Sequence, residues 1–464
     1  MLRLFDTAEG AVVPFEPAQP GKVSMYVCGP TVYGPPHLGH GRFALVFDVL
    51  RRYLEWTGAE VTYASNITDI DDKIIARAAD EGRSAEAVAT EYEQLWWEVM
   101  EAIGVARPTY DPHATAYVDE MIELIGRLVA QGVAYQTSDG VYFEASKVAD
   151  YGLLARQSID SLRAGARVEA NEEKRSPVDF ALWKKAKPGE PSWPSPWGDG
   201  RPGWHTECVV MSLGLLGDGF DLHGGGQDLA FPHHENERAQ AVVLGNRFAR
   251  HWMHNGFVEV AGEKMSKSLG NFTNLVDLIE QVDPRAYRLL VLRSHYRSPI
   301  DVTPVTTADA AAALQRLDAL VRRAGGAGSG AGAADARRTG GSGPDPDAEV
   351  LDQFRSAMDD DLDTPAAMAL LFDTVRRANT ELDAGDGAGA APLVGAVEEI
   401  CRAVGLRLGG SAESVPPEVA DQLARREAAR AAKDFVTADA IRDQLARDGW
   451  VIEDGPTGAT PRRA

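Results

Sequence analysis

Two short stretches of this chain hold the residue types that bind phosphate. They are Pro36-His37-Leu38-Gly39-His40 and Glu263-Lys264-Met265-Ser266-Lys267-Ser268. Imidazole and ammonium groups donate to phosphate oxygens, and glycine allows close backbone approach. Ser266, Ser268 and Gly270 suit a loop that moves. Either stretch alone also fits a surface turn or a solvated lysine bend; together, in this order, they favour triphosphate chemistry. A second set, Cys28, Cys208, His233 and Glu237, mixes sulfur, nitrogen and oxygen donors of the kind that suit Zn²⁺. His233 and Glu237 are four apart and share one helical face. There is no Cys-x-x-Cys pair, so the local reading leans towards Cys28 as a buried strand residue and His233-His234-Glu235 as a helix cap.

The elements around the first stretch support a phosphate site. Val23 to Cys28 reads as a short buried strand. Phe43, Val46, Phe47, Leu50, Tyr53 and Leu54 then recur at helical spacing. A strand, a turn and a helix start bring free N–H groups and the helix dipole to one point. The 464 residues predict roughly three domains. A composition 44% hydrophobic without an apolar run of ~20 residues predicts no membrane-spanning helix. Three cysteines and no apolar segment at the N-terminus predict a reducing cytoplasm. Cys401 reads as a helix packing residue, and the Asp359-Asp360-Asp361 run as solvated. Helices are predicted over Ala310 to Arg323 and Leu351 to Leu382. The Gly/Ala/Ser-rich span at 325–346 reads as a flexible loop, having too little apolar surface to offset its ordering entropy.

Longer runs carry a resemblance. The two phosphate stretches resemble the paired signatures of class I aminoacyl-tRNA synthetases, with Leu38 in place of the usual isoleucine. The chain resembles the cysteinyl-tRNA synthetase family through Met25-Tyr26-Val27-Cys28-Gly29-Pro30-Thr31-Val32-Tyr33 and Asn66-Ile67-Thr68-Asp69-Ile70-Asp71-Asp72-Lys73. Further matches are Gly200-Arg201-Pro202-Gly203-Trp204-His205-Thr206-Glu207-Cys208, His223-Gly224-Gly225-Gly226-Gln227-Asp228 and His251-Trp252-Met253-His254-Asn255-Gly256. Only 325–346 has no counterpart.

This resemblance implies an α/β fold: a split Rossmann-like catalytic domain (1–115 and 201–255) around a connective insert (116–200). A signature-loop and tRNA stem-contact region (256–307), a helical bundle (308–408) and a small anticodon-binding domain (412–464) would follow. It implies activation of cysteine with ATP and transfer to cysteine tRNA by a cytoplasmic monomer. His37, His40, Lys264 and Lys267 would be catalytic, and Pro30, Thr31, Gly39, His40 and Lys267 would bind ATP with Mg²⁺. Cys28, Cys208, His233 and Glu237 would hold one zinc, with Glu237, the hard oxygen donor, as the weakest ligand. His205 and His234 would support these ligands, and Trp204 and Asp228 would line the cysteine pocket.

Charge runs against a tRNA substrate, since the net charge is −22 and the long-range field repels nucleic acid. The C-terminal segment is locally neutral, however. Arg426, Arg430 and Lys433 are spaced for one helical face, with Trp450 nearby to stack on a base; a charged, solvent-facing helix is the plainer alternative. Two other readings fit the catalytic half. A cysteine ligase of mycothiol synthesis lacks the C-terminal region, and a zinc protein that only binds RNA would need neither phosphate motif.

Overall fold

An N-terminal hairpin, β1 (Arg3–Asp6) and β2 (Ala11–Pro14), leads into β3 (Lys22–Val27), whose Met25, Tyr26 and Val27 are all buried. Consecutive buried residues mark a strand covered on both faces. Helix α1 (Leu38–Trp56) then crosses to β4 (Glu60–Ser65), and α2 (Asp72–Glu81) and α3 (Ala85–Ala102) follow. A second layer begins with α4 (Val118–Ala130), β5 (Ala134–Gln136) and β6 (Gly140–Phe143). It continues with α5 (Ile159–Gly165), β7 (Phe180–Lys185) and β8 (Gly200–Pro202). Its strands are antiparallel in the order β5-β6-β7-β8. The chain returns to the first sheet through α6 (Trp204–Leu216), β9 (Phe220–Gly226), α7 (Glu235–Val243) and β10 (Ala249–Asn255).

The first sheet is parallel, in the order β10-β9-β3-β4. Val27 lies opposite Gly224 on one side and Ser65 on the other. The chain leaves β3 towards β4 and later resumes on the opposite side at β9, so the topological switch lies between β3 and β9. In such sheets ligands bind at the carboxyl ends of the strands beside the switch. Cys28 and the start of α1 lie there.

The structure, a computed structural model, describes residues 1–165, 173–259, 274–327, 345–409, 417–432, 434–455 and 458–463. It divides into two units. The first comprises Met1–Leu314, Asp347–Thr374 and Ala396–Arg407; the second comprises Gln315–Pro346, Val375–Gly395 and Leu408–Ala464. In the first, β11 (Val258–Glu259) is followed by α8 (Leu275–Gln281), α9 (Pro284–Leu292) and β12 (Ile300–Asp301). Helices α10 (Pro304–Ala327), α11 (Ala348–Asp359), α12 (Thr364–Asp383) and α13 (Gly387–Ala403) come next along the chain; α11 belongs to the first unit, and the residues of α10, α12 and α13 are divided between the two. Arg288 on α9 donates to Asp48 of α1 (2.7 Å), to Ile103 O (3.1 Å) and to Val404 O (2.9 Å), fixing the signature-bearing helix against its neighbours.

Two expectations change here. The helix predicted over Leu351 to Leu382 is two helices, because Asp361 and Leu362 adopt positive φ values of 57° and 52°. The acidic run is solvated only at Asp360: Asp361 is buried and accepts from Phe5 N–H (2.7 Å), Tyr296 OH (2.7 Å) and Arg297 Nε (2.8 Å). Asp359 accepts from Tyr53 OH and the N-terminal ammonium, both at 2.8 Å. Cys401 is buried on α13, as a packing residue should be.

In the second unit, α14 (Pro417–Ala431) and α15 (Phe435–Arg447) pack together beside a hairpin of β13 (Trp450–Gly455) and β14 (Gly458–Arg463). Val419, Leu423, Leu445 and Trp450 form its small core. Arg426 and Trp450 are therefore not surface groups offered to RNA. Arg426 follows Leu423 by three positions, so helical spacing turns it onto the core face, where only 4% of it is exposed. Arg430 is exposed, and Lys433 lies outside the described residues. Arg426→Ala is expected to destabilise the protein by about 0.5–3 kcal/mol, and the exposed Arg425→Ala by less than about 0.5 kcal/mol. Thermal unfolding of the two variants checks this; equal effects would refute the inward orientation.

Candidate functional site

Residues of the first motif build the start of α1. His37 is the N-cap: its Nδ1 accepts from His40 N–H, while His40 Nδ1 accepts from His37 N–H, both at 3.2 Å. The rings stack with centroids 3.5 Å apart. A Cβ on Gly39 would lie 3.1 Å from the His37 ring, so glycine here leaves room for that stack. Burial lowers the His40 pKa to about 3, helped by His37 and Lys73, and burial lowers that of His37 as well. Both rings are then neutral at physiological pH. Because each Nδ1 accepts a backbone N–H, each proton sits on Nε2, leaving that nitrogen as a donor.

Around this pair, Pro30 O accepts from Thr68 N–H (3.0 Å), and Thr31 bridges to Thr68. Lys73 on α2 supplies a cation that acts on both imidazoles and lies over the Tyr33 ring at 5.1 Å. Lys73 closes the Asn66-to-Lys73 run, and nothing in its local sequence marks it as a partner of the two histidines. Asp228, exposed, acts electrostatically on His37. Lys264 and Lys267 lie outside the described residues.

The four candidate metal ligands converge although they come from three separate elements. Cys28 follows β3, Cys208 is on α6, and His233 and Glu237 straddle the start of α7; their ligand atoms all lie within 4.8 Å of one another, and all four residues are buried. Cys28 Sγ is 3.5 Å from Cys208 Sγ and 3.3 Å from Glu237 Oε1. His233 Nε2 is 3.7 Å from Cys208 Sγ and 2.9 Å from Glu237 Oε1. Ligands at about 2.0–2.3 Å from a tetrahedral zinc would stand roughly 3.3–3.8 Å apart, so the donor types and the three separations that involve sulfur suit the ion, whereas the 2.9 Å contact of His233 with Glu237 is a hydrogen-bond distance that would lengthen around it. A second grouping, Cys28, His223, His234 and Glu237, shares two members but only one thiol.

Two of the four groups, Glu237 and Cys208, are shifted towards their ionised forms, while burial and Cys208 hold the Cys28 thiol well above its usual range. Burial opposes ionisation of Glu237, but His233 and His223 more than offset it and hold the carboxyl well below its usual range. Burial raises the Cys208 thiol, while a hydrogen bond from Cys28 and then His233 bring it down to about 7.

An outer layer holds these ligands. His205 Nδ1 lies 2.8 Å from His233 Nδ1, fixing the ring so that Nε2 faces the thiols. His223 Nε2 lies 2.6 Å from Glu237 Oε2, which gives the carboxylate an anchor independent of Oε1. His234 instead pairs with His254 at 2.8 Å. Trp204, 36% exposed, stacks on the His233 ring with centroids 3.9 Å apart. The insert also braces α7: Tyr151 OH donates to Asn236 (2.5 Å), and Leu154 N–H to Glu235 (2.7 Å). Sequence alone gives His223 and Tyr151 no supporting role: His223 opens the His223-to-Asp228 run, and Tyr151 sits between Asp150 and Gly152 with nothing local to tie it to Asn236.

Comparison with known proteins covers the chain from end to end. The tRNA synthetases class I (C) catalytic domain matches residues 14–312, the DALR domain 353–409, and the cysteinyl-tRNA ligase anticodon binding domain 412–462. A cysteine–tRNA ligase of Halorhodospira halophila is 46% identical over all of both chains, and one of Thioalkalivibrio sulfidiphilus is 47% identical, again over all of both. Among solved structures, a Mycobacterium tuberculosis methionyl-tRNA synthetase with methionyl-adenylate aligns with TM-score 0.58 at 17% identity, covering 82% of this chain and 89% of that one. A LeuRS–tRNA–LeuAMS complex of Agrobacterium radiobacter aligns with TM-score 0.60 at 12% identity, covering 84% and 85%. At these identities the structural likeness speaks for the fold alone.

Proposed function

This chain belongs to the class I tRNA synthetases, in the cysteinyl-tRNA ligase family, and from that premise we infer that it joins cysteine to its tRNA at the expense of ATP. The observation that carries the reading is the buried Cys28–Cys208–His233–Glu237 cluster, found in one chain with the stacked His37–His40 pair at the start of α1. The C-terminal match to an anticodon domain speaks against an amino-sugar ligase.

Cysteine's carboxylate is already ionised at neutral pH, so attack on the α-phosphorus needs no general base. Catalysis then rests on positioning and charge stabilisation. His37 and His40 offer Nε2–H donors to the phosphates, with Pro30, Thr31 and Gly39 lining the approach and Mg²⁺ accompanying ATP. Lys264 and Lys267 stabilise charge on the departing pyrophosphate. Trp204 and Asp228 border the cysteine. Cys28, Cys208, His233 and Glu237 would hold Zn²⁺, which supplies a soft contact for the substrate thiol that a hydroxyl cannot match. A terminal ribose hydroxyl of the tRNA then attacks the adenylate carbonyl. Among the described residues no helix is long and apolar enough to cross a membrane, consistent with a cytoplasmic enzyme, which we take to act as a monomer.

Cysteine-dependent exchange of pyrophosphate into ATP, followed by transfer to bulk tRNA, tests the reading; exchange driven equally by serine would sink it. Arg430→Glu should leave exchange unchanged, weaken tRNA binding, and lower its salt slope by about one unit. An unaltered salt slope would remove Arg430 from the RNA-facing surface.

A further inference from the structure

Arg42 lies on α1 two positions after His40 and is only 1% exposed. Its guanidinium donates to four backbone carbonyls: Phe257 O, Ser298 O, Tyr296 O (3.2 Å) and His295 O (3.3 Å). Among the described residues it has no carboxylate partner. Burial lowers its pKa to about 10, which still leaves it charged at neutral pH. A buried cation met only by carbonyls carries a desolvation cost that an apolar residue of similar size would avoid. The planar fork supplies something an apolar residue cannot, namely two chain segments held in fixed directions from one helix.

Those segments frame the second motif. Phe257 directly precedes β11, which pairs with β12 through Val258–Ile300 and Glu259–Asp301. Gly256 N–H donates to Tyr296 O (2.8 Å), and a Cβ on Gly256 would lie 2.5 Å from Arg297 O, so only glycine fits against this segment. Beyond the motif, Leu275 N–H donates to Pro36 O (2.9 Å), immediately before His37. A Cβ on Gly41 would lie 2.5 Å from the Leu275 side chain. Tyr287 OH donates to Leu38 O (2.6 Å). The chain on both flanks of Lys264 and Lys267 is thus bonded to residues 36–42, which carry the first motif.

We propose that Arg42 is a positioning residue that sets the spacing between the His37–His40 pair and the chain flanking the second motif, so that both motifs reach one triphosphate. The proposal rests on the functional reading above. It requires no contact between Arg42 and substrate.

Arg42→Met and Arg42→Lys, made in the full chain, test it by cysteine-dependent pyrophosphate exchange with zinc content measured alongside. A misplacement of about 1 Å in reacting groups costs ~10²-fold in rate, so kcat for exchange should fall by about that factor in Arg42→Met. The KM for cysteine and the zinc content should stay as in the unsubstituted chain. Arg42→Lys keeps the charge but not the fork and should recover little of the rate. If Arg42 acts through the second motif, Arg42→Met combined with Lys267→Ala should be scarcely slower than Lys267→Ala alone. Multiplying losses, full recovery by lysine, or a parallel rise in the KM for cysteine would overturn the proposal. Should Arg42→Met fail to fold, Arg42→Lys and its combination with Lys267→Ala decide the matter. Failure of the functional reading would show separately, as absence of cysteine-dependent exchange in the unsubstituted chain.

Discussion

Cys208→Ser is expected to yield folded protein that binds zinc poorly and keeps only a reduced preference for cysteine over serine. The serine hydroxyl is a hard, weakly acidic donor, whereas the thiol it replaces is brought to about 7, with burial outweighed by Cys28 and His233. Loss of a supporting partner alone costs ~10–100-fold in metal affinity, and loss of a ligand should exceed that. Without the metal only pocket shape remains, and shape separates near-isosteres by ~1–3 kcal/mol, about 10–200-fold. Metal analysis together with exchange rates for cysteine and serine measures both effects. The site is buried inside unit 1 and its neighbours are tied by their own bonds, such as Thr68 to Glu207 at 2.7 Å, so global unfolding is not the expected outcome. Full cysteine preference in demonstrably zinc-free protein would defeat the assignment.

How far the sequence reached depends on how local each determinant is. The strand ending at Cys28 and the helix after it were legible because burial in a parallel strand and a 3.6-residue period are written into neighbouring residues. The convergence of Cys28 and Cys208 was not, since nothing in their spacing places α6 against β3; only resemblance to a family supplied it. The same limit explains the break at Asp361. Its partners Phe5, Tyr296 and Arg297 lie far away in sequence, so a continuous helical period across the run was misleading. Arg426 shows a different failure. Helical spacing aligns it with Arg430, but also with Val419 and Leu423, and the apolar pair turns Arg426 inward while Arg430, one turn further along, stays exposed.

Lys267→Ala should slow adenylate formation by about 10²–10³-fold, the usual cost of removing one preorganised donor to transition-state charge. In the proposed mechanism the ground state already has other donors to the triphosphate in the His37 and His40 Nε2–H groups, whose proton positions are fixed by the reciprocal bonds to Nδ1. Charge on the departing pyrophosphate, in contrast, grows only as the α-phosphorus bond breaks, and an ammonium is the group suited to meet it. The KM for cysteine should therefore change little while kcat falls, because the candidate metal cluster of Cys28, Cys208, His233 and Glu237, proposed to take the substrate thiol, is built entirely from residues outside the second motif. His40→Ala should behave differently. It removes one ring of the stack and the acceptor for His37 N–H, so the start of α1 loosens and the KM for ATP should rise along with the loss in kcat. Single-turnover measurement of adenylate formation across a range of ATP and cysteine concentrations separates these patterns. If Lys267→Ala raised the KM for cysteine as much as it lowered kcat, the second motif would be shaping the amino-acid pocket rather than stabilising the leaving group.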